Sequence, residues 1–294
     1  MDKTAPSLPK APIKLGHQTS RKFTSFAIMF ILCAASVTMV LPFIWMVMTS
    51  FDWGARLNIP FPPSFWPEDP SLRTYRAALT NVDLIRYILN SFVVAIGVIV
   101  ISLFSALLSG YALSKIRFKG AGMVLVLALS TMMIPFEMTM IPQYMLFNQI
   151  HLLDTYWVFF LPALNYAFGT FLCKQFIDGL PGELREAALI DGASEYGIFP
   201  RIYLPLCMPI FATMVILQFL GVWNELIWPL LALNNPDKYT IQLGLAMFNY
   251  NNGSRQMPSI IMAATCISLI PVLVLYMFLQ KYIVESIATT GLKQ

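Results

Sequence analysis

Six long apolar runs alternate with polar connections along the chain, at roughly 25–50, 91–113, 122–142, 155–173, 208–233 and 259–284. Each approaches the ~20 residues that an α-helix needs to cross about 30 Å of hydrocarbon. None alternates apolar and polar residues at period two, as a membrane β-barrel requires. Lipid offers no water to free backbone groups, so helices satisfy them internally. The pattern predicts an all-α polytopic membrane protein with six transmembrane helices. One connection departs from the others. Between helices four and five, about 178–209, the chain turns polar and carries Asp178, Glu183, Glu186, Asp191 and Glu195. Pro181 suits the first turn of a helix, Glu183 and Glu186 favour its positive end, and Gly192 suits its stop. A helix over 181–191 would be about 16 Å long at about 1.5 Å per residue, too short to span a bilayer. A short helix at the surface of a membrane protein is built to touch something.

Composition supports the membrane reading: 57% of the 294 residues are hydrophobic and 12% charged, about half the charged fraction of a soluble domain. Mean hydropathy is +0.68. Lys and Arg in the connections set the orientation. With the N-terminus inside, the inner connections and ends hold 13 of them and the outer connections 6. Both termini and the 178–209 segment are therefore expected in the cytoplasm. The net charge of +4 follows from this asymmetry and gives no argument for nucleic acid. The first apolar run is too long for a signal-peptide core and is read as a retained helix. Residues 1–22 are expected to form a flexible cytoplasmic tail. In the long outer connection, 51–90, a helix is expected near 72–79, with Trp53 and Trp66 at the membrane interface. Cys33, Cys173, Cys207 and Cys266 sit in or beside apolar runs without metal or disulfide spacing, and are expected to be buried small hydrophobes.

Catalytic and nucleotide-binding chemistry is missing from the pattern. His17 and His151 are the two histidines, and no His-Glu-x-x-His or Gly-Lys-Ser/Thr loop occurs. Two acids do fall in spanning runs, Glu137 and Glu225. A charge at mid-bilayer costs on the order of 2.5–3.5 kcal/mol on insertion scales, so each must face protein or water. Glu225, beside Trp223 and Asn224, either lines a polar cavity or makes a structural hydrogen bond to a neighbouring helix. Pro135 and Pro142 place Glu137 near a helix end. Asn165 and Tyr166 are comparable candidates for a polar pathway. Pro42, Pro135, Pro162, Pro229 and Pro271 each remove a backbone donor and invite a kink.

The run Glu186-Ala187-Ala188, then Asp191-Gly192-Ala193, Phe199, Ile202, Leu204-Pro205-Leu206 and Pro209, resembles the cytoplasmic loop signature of ATP-binding-cassette (ABC) importer permeases. Ser50-Phe51, Asn90-Ser91-Phe92, Tyr111-Ala112-Leu113 with Arg117-Phe118, and Trp223-Asn224-Glu225 with Trp228-Pro229 are similar to the carbohydrate importers. The smaller, six-helix permease of the maltose-importer type fits best, over 23–294. Asp52, where that family commonly has lysine, departs from the pattern. The resemblance implies short coupling helices seated in a cleft of a cytoplasmic ATPase, with Glu186, Ala187, Ala188, Asp191 and Gly192 making the contact. It also implies a second permease, two ATPase subunits holding ATP and magnesium, an extracytoplasmic solute-binding protein, and a sugar or oligosaccharide cargo. This chain would bind no cofactor and break no bond, and would sit in a bacterial inner membrane. The residues 289–294 are similar to a tail that reaches the ATPase dimer. Two other readings stand beside this one: a permease for a polyol phosphate or amino acid, and a membrane-embedded enzyme or sensor. The latter lacks a convergent catalytic cluster.

Overall fold

A computed structural model describes residues 16–57, 64–116, 118–251 and 257–291, with side chains described from 25 to 280 within those stretches except at 251. Every regular element among them is helical, and Asp52 and Pro70 make one isolated bridge. Helix α1 (Gly16–Ser50) leads through a short turn at Gly54–Arg56 to α2 (Arg73–Asn81) and α3 (Leu84–Lys115). The outer helix expected near 72–79 is thus α2. Pro60 to Pro63, Arg117, Arg255, the first fifteen residues and the last three lie outside the described residues. Helix α1 takes in 16–22 of the stretch expected as a tail.

The run 122–142 does not form one straight helix. It divides into α4 (Ala121–Thr131) and α5 (Phe136–Gln149), bent by 96°. Pro135 sits between them with ψ 143, extended, and its missing N–H cannot continue α4. The run 155–173 likewise splits into α6 (Trp157–Ala163) and α7 (Ala167–Asp178), with Tyr166 at the break in a non-helical conformation. After α8 (Glu183–Ile190) and α9 (Glu195–Ile198), a wide turn at Phe199–Tyr203 and α10 (Leu204–Leu206) lead to α11 (Met208–Asn224). The run 208–233 then breaks at Glu225, where ψ is 127, and ends as α12 (Ile227–Ala232). Helices α13 (Ile241–Asn251) and α14 (Pro258–Gly291) complete the chain.

Among the described residues, three helical segments are long and apolar enough to cross a membrane alone: Ser25–Ser50 of α1, all of α3, and Pro258–Gln280 of α14. Up to five cross if α4 with α5, and Glu195–Leu206 with α11 (bent by 75°), each count as one span. The apolar runs mark where the chain is greasy, and the breaks within them depend on proline and polar residues.

Helix α3 is the central member, packed on α6, α7, α11 and α13. Ser102, Ala106 and Gly110 are buried on it at four-residue spacing. That places small side chains on one face, the pattern that lets membrane helices approach closely. Helix α1 packs on α14 and leaves Phe26, Met29, Phe30 and Met39 exposed. Cys173 and Cys207 are buried as expected, Cys266 is half-buried, and Cys33 is exposed on α1. It fits there because a thiol is itself weakly polar.

Candidate functional site

Helix α8 presents a mixed surface. Glu183, Glu186, Ala187 and Asp191 are exposed, and Ala188 faces inward with 9% of its surface accessible. Ala188 packs in a cluster with Cys173, Ile177, Ile198 and Tyr203. Its small size therefore brings α8 close to the rest of this chain, while Ala187 keeps the outer face flat. The helix stops as the sequence predicts. Gly192 has φ +81, its N–H donates to Leu189 O at 3.1 Å, and Ala193 N–H donates to Ala188 O at 2.9 Å. That pair of bonds is the left-handed helix stop that glycine adopts without a Cβ penalty. Two apolar residues missed by the sequence reading flank this turn: Ile190 is 85% exposed and Tyr196 93%. Their only sequence signal is an apolar residue beside Asp191 and beside Glu195 in an otherwise polar segment.

A charged and aromatic network fastens this surface to α3. Arg185 on α8 pairs with Glu195 on α9, closing the corner between the two helices. The hydrogen bond to Glu195 holds the Arg185 guanidinium above its ordinary pKa, so the pair is fully charged. The Tyr111 hydroxyl donates to Glu195 Oε2 at 2.6 Å. The Tyr111 ring lies 5.2 Å from that of Phe199 and 5.1 Å from that of Tyr203. Lys115 Nζ donates to Leu180 O at 3.0 Å, and Ser114 Oγ donates to Asp178 Oδ1 at 2.6 Å. Asp178 also accepts from Lys174 at 2.5 Å. Burial pushes the Asp178 carboxyl up, and the bonds from Lys174 and Ser114 outweigh that, leaving it below its ordinary value. These charged bonds and tilted ring contacts tie the end of α3 to the 178–209 segment.

A second feature lies among α3, α5, α6, α11 and α12. A cavity of about 290 Å³ is lined by Gln143, Asn165, Tyr166, Gln218 and Glu225, with Phe136, Phe159 and Trp228 among its apolar walls. Three of the six residues singled out from sequence therefore meet: Asn165, Tyr166 and Glu225. The other three go elsewhere. Trp223 is 1% exposed and its indole donates to Ser268 O at 3.2 Å within the core. Asn224 is exposed and donates to Leu220 O at 2.9 Å. Glu137 is exposed on the first turn of α5. Glu225 faces the cavity, and its Oε1 accepts from the N–H groups of Ile227 at 3.0 Å and Trp228 at 3.2 Å, a local cap on the start of α12 and not a bond to a neighbouring helix. Gln143 and Gln218 were not visible as candidates, since a lone glutamine in an apolar run carries no charge to flag it. Among the described residues, no group of three His, Cys, Asp or Glu side chains could hold a metal ion.

An all-helical arrangement with several membrane-length segments, a short polar helix pair at one end and a largely apolar cavity carrying a few polar side chains defines a polytopic helical permease. Residues 19–289 match the family described as binding-protein-dependent transport system inner membrane component, and the chain belongs to it. The arabinooligosaccharides transport system permease protein AraQ of Halalkalibacterium halodurans is 38% identical over 204 residues, 69% of this chain and 72% of that protein. AraQ of Bacillus subtilis is 34% identical over 208 residues, 71% and 73% of the two chains. Among solved structures, a bacterial ABC transporter involved in the import of the acidic polysaccharide alginate has a chain that superposes with a TM-score of 0.81. That likeness, at 24% identity, covers 92% of this chain and 99% of the other and shows a shared fold.

Proposed function

We propose that this chain is one of two related permease subunits that form the translocation pathway of an ATP-driven importer for a sugar or oligosaccharide. The observation that carries this is the exposed acidic and apolar surface around Glu186, Ile190, Gly192 and Tyr196, bonded through Glu195 to the end of α3. Such a surface fits a basic-rimmed apolar cleft on a cytoplasmic ATPase. Glu186, Ala187, Asp191 and Gly192 make the contact, and Ala188 holds α8 in place beneath them. Six segments cross the bacterial inner membrane, counting α4–α5, α6–α7 and α11–α12 as one bent span each. Both termini lie on the cytoplasmic side with the 178–209 loop. Two ATPase subunits closing on ATP and magnesium draw the α8 surfaces together, and α3, tied to that segment, follows. An extracytoplasmic binding protein delivers the saccharide to the other side, and this chain itself binds no cofactor.

The saccharide class is supported by the names of relatives, and those names differ in charge: arabinooligosaccharides for one, the acidic alginate for the aligned structure. Extraction from the native membrane in mild detergent, with mass spectrometry of the stoichiometric companions, tests the assembly. A second permease and two copies of an ATPase are expected. A chain recovered alone, or only with itself, would overturn the reading.

A further inference from the structure

We infer that the cavity between α5, α6, α11 and α12 accepts neutral saccharides and rejects acidic ones, with Gln143, Asn165 and Gln218 as hydroxyl partners and Glu225 as the group that excludes anions. This rests on the importer reading and names the charge class of its cargo. The lining is polar in a particular way. It contains three side-chain amides and one carboxylate, and none of the lining residues is Lys or Arg. Each amide carries both donors and an acceptor, the match for a hydroxyl, which is itself donor and acceptor.

The amides are also available. Gln143 and Gln218 are partly buried and Asn165 is exposed, and among the described residues no hydrogen bond engages the side-chain amides of the three. By contrast, the polar side chains just outside the cavity are occupied, as with Asn224 on Leu220 O and Trp223 on Ser268 O. Amides open to the cavity and left without protein partners can exchange their water for a ligand's hydroxyl groups. The rings of Phe136, Phe159, Tyr166 and Trp228 add apolar surface of the sort that packs on the C–H face of a sugar ring.

Glu225 sets the sign. Its carboxylate is fixed by the two N–H donors of Ile227 and Trp228 and cannot swing away without uncapping α12. A uronate or phosphate entering the cavity meets that charge at short range with no cation in the lining to offset it. Like charges placed together in a protein interface are strongly disfavoured. At 290 Å³ the cavity is at the small end for ligand sites, room for part of an oligosaccharide at a time.

The test uses the assembled permease–ATPase complex in lipid nanodiscs, without binding protein, so that its selectivity does not enter. Saturation-transfer NMR is recorded with arabinotriose and with trigalacturonate. Arabinotriose is expected to show transfer and trigalacturonate about tenfold weaker transfer or none, a ratio equivalent to about 1.4 kcal/mol. Gln143→Leu with Gln218→Leu should abolish the arabinotriose signal. Glu225→Gln, which keeps an oxygen to cap α12, should bring trigalacturonate up to the neutral sugar. Equal recovery of the ATPase with each variant confirms that the complex still forms. Trigalacturonate binding as strong as arabinotriose, or a neutral signal undiminished in the double variant, overturns the charge assignment and leaves the importer reading standing. Absence of binding by either probe to an intact complex overturns the saccharide reading and this assignment with it.

Discussion

The Tyr111 hydroxyl and the Glu195 carboxylate meet at 2.6 Å across 84 positions of sequence, joining the end of α3 to the corner of α8 and α9. The contact transmits motion only if it is needed under load, since Arg185 also holds Glu195. Tyr111→Phe removes the hydroxyl and keeps the ring on Phe199 and Tyr203. It is expected to cost about 1 kcal/mol of stability and to lower sugar uptake per ATP hydrolysed by about fivefold. Uptake and ATP turnover measured together in proteoliposomes check this. A parallel fall in both would mark the hydroxyl as a structural bond and nothing more.

Gly192 and Glu186 separate backbone from surface effects. A Cβ at Gly192 meets nothing within 4 Å in this chain, but φ is +81. Gly192→Val should therefore cost about 1–2 kcal/mol through the left-handed backbone, whereas Gly192→Asn, which tolerates that conformation, should keep most of the stability. Glu186 is exposed, and its side chain has no hydrogen bond or ion pair among the described residues. Glu186→Lys is expected to leave insertion and melting unchanged and to lose the ATPase on purification. Normal uptake by Glu186→Lys would remove it from the contact.

The helix stop at Gly192 and the six apolar runs could be read from the sequence because both are local: a glycine after an amphipathic turn, and consecutive apolar residues. The bends could not be sized that way. Pro135 announces a break, but the 96° between α4 and α5 depends on what each half packs against. Trp223, Asn224 and Glu225 were grouped as neighbours in sequence, yet successive helical residues point about 100° apart. One enters the core, one faces out, and the third sits at the break facing the cavity. Tyr111 gave no signal as a partner of the polar loop, since its role depends wholly on tertiary contact.

Asp154 gives the far end of the molecule a dependence on pH. Its Oδ1 accepts from Asn234 N–H at 3.1 Å and Asn235 N–H at 3.0 Å, and its Oδ2 faces Lys238 Nζ at 3.1 Å. Burial pushes this carboxyl up, but the backbone N–H groups and Lys238 outweigh it and hold its pKa below the ordinary 3.8. A carboxyl depressed on folding stabilises the native state fully above its unfolded value and stops doing so as pH falls through the folded one. Asp154→Asn should melt below the parent at pH 7, and the gap should begin to narrow as the pH drops below about 4 and close only below the folded-state value. Melting curves of both complexes from pH 7 to pH 3 measure it; a constant gap would mean that the charge is not what Asp154 contributes.

Gly110 marks a close approach of α3 to α7. A Cβ there would lie 2.6 Å from Cys173 Cβ and 3.0 Å from Lys174 N, one a packed side chain and the other backbone. Neither yields by rotating a flexible end, so α7 itself must shift, at a cost of about 1–3 kcal/mol. That shift reaches further than the two helices, because Asp178, one turn on from Lys174 and paired with it, is bonded to Ser114. Gly110→Ala is therefore expected to lower the melting temperature and also to loosen the loop end, seen as faster hydrogen exchange in α8 and α9. Gly221, whose Cβ would meet nothing within 4 Å, is the control, and Gly221→Ala should change neither reading. Destabilisation by Gly110→Ala with unchanged exchange in α8 and α9 would show that the loop is held by its own contacts and not through α7.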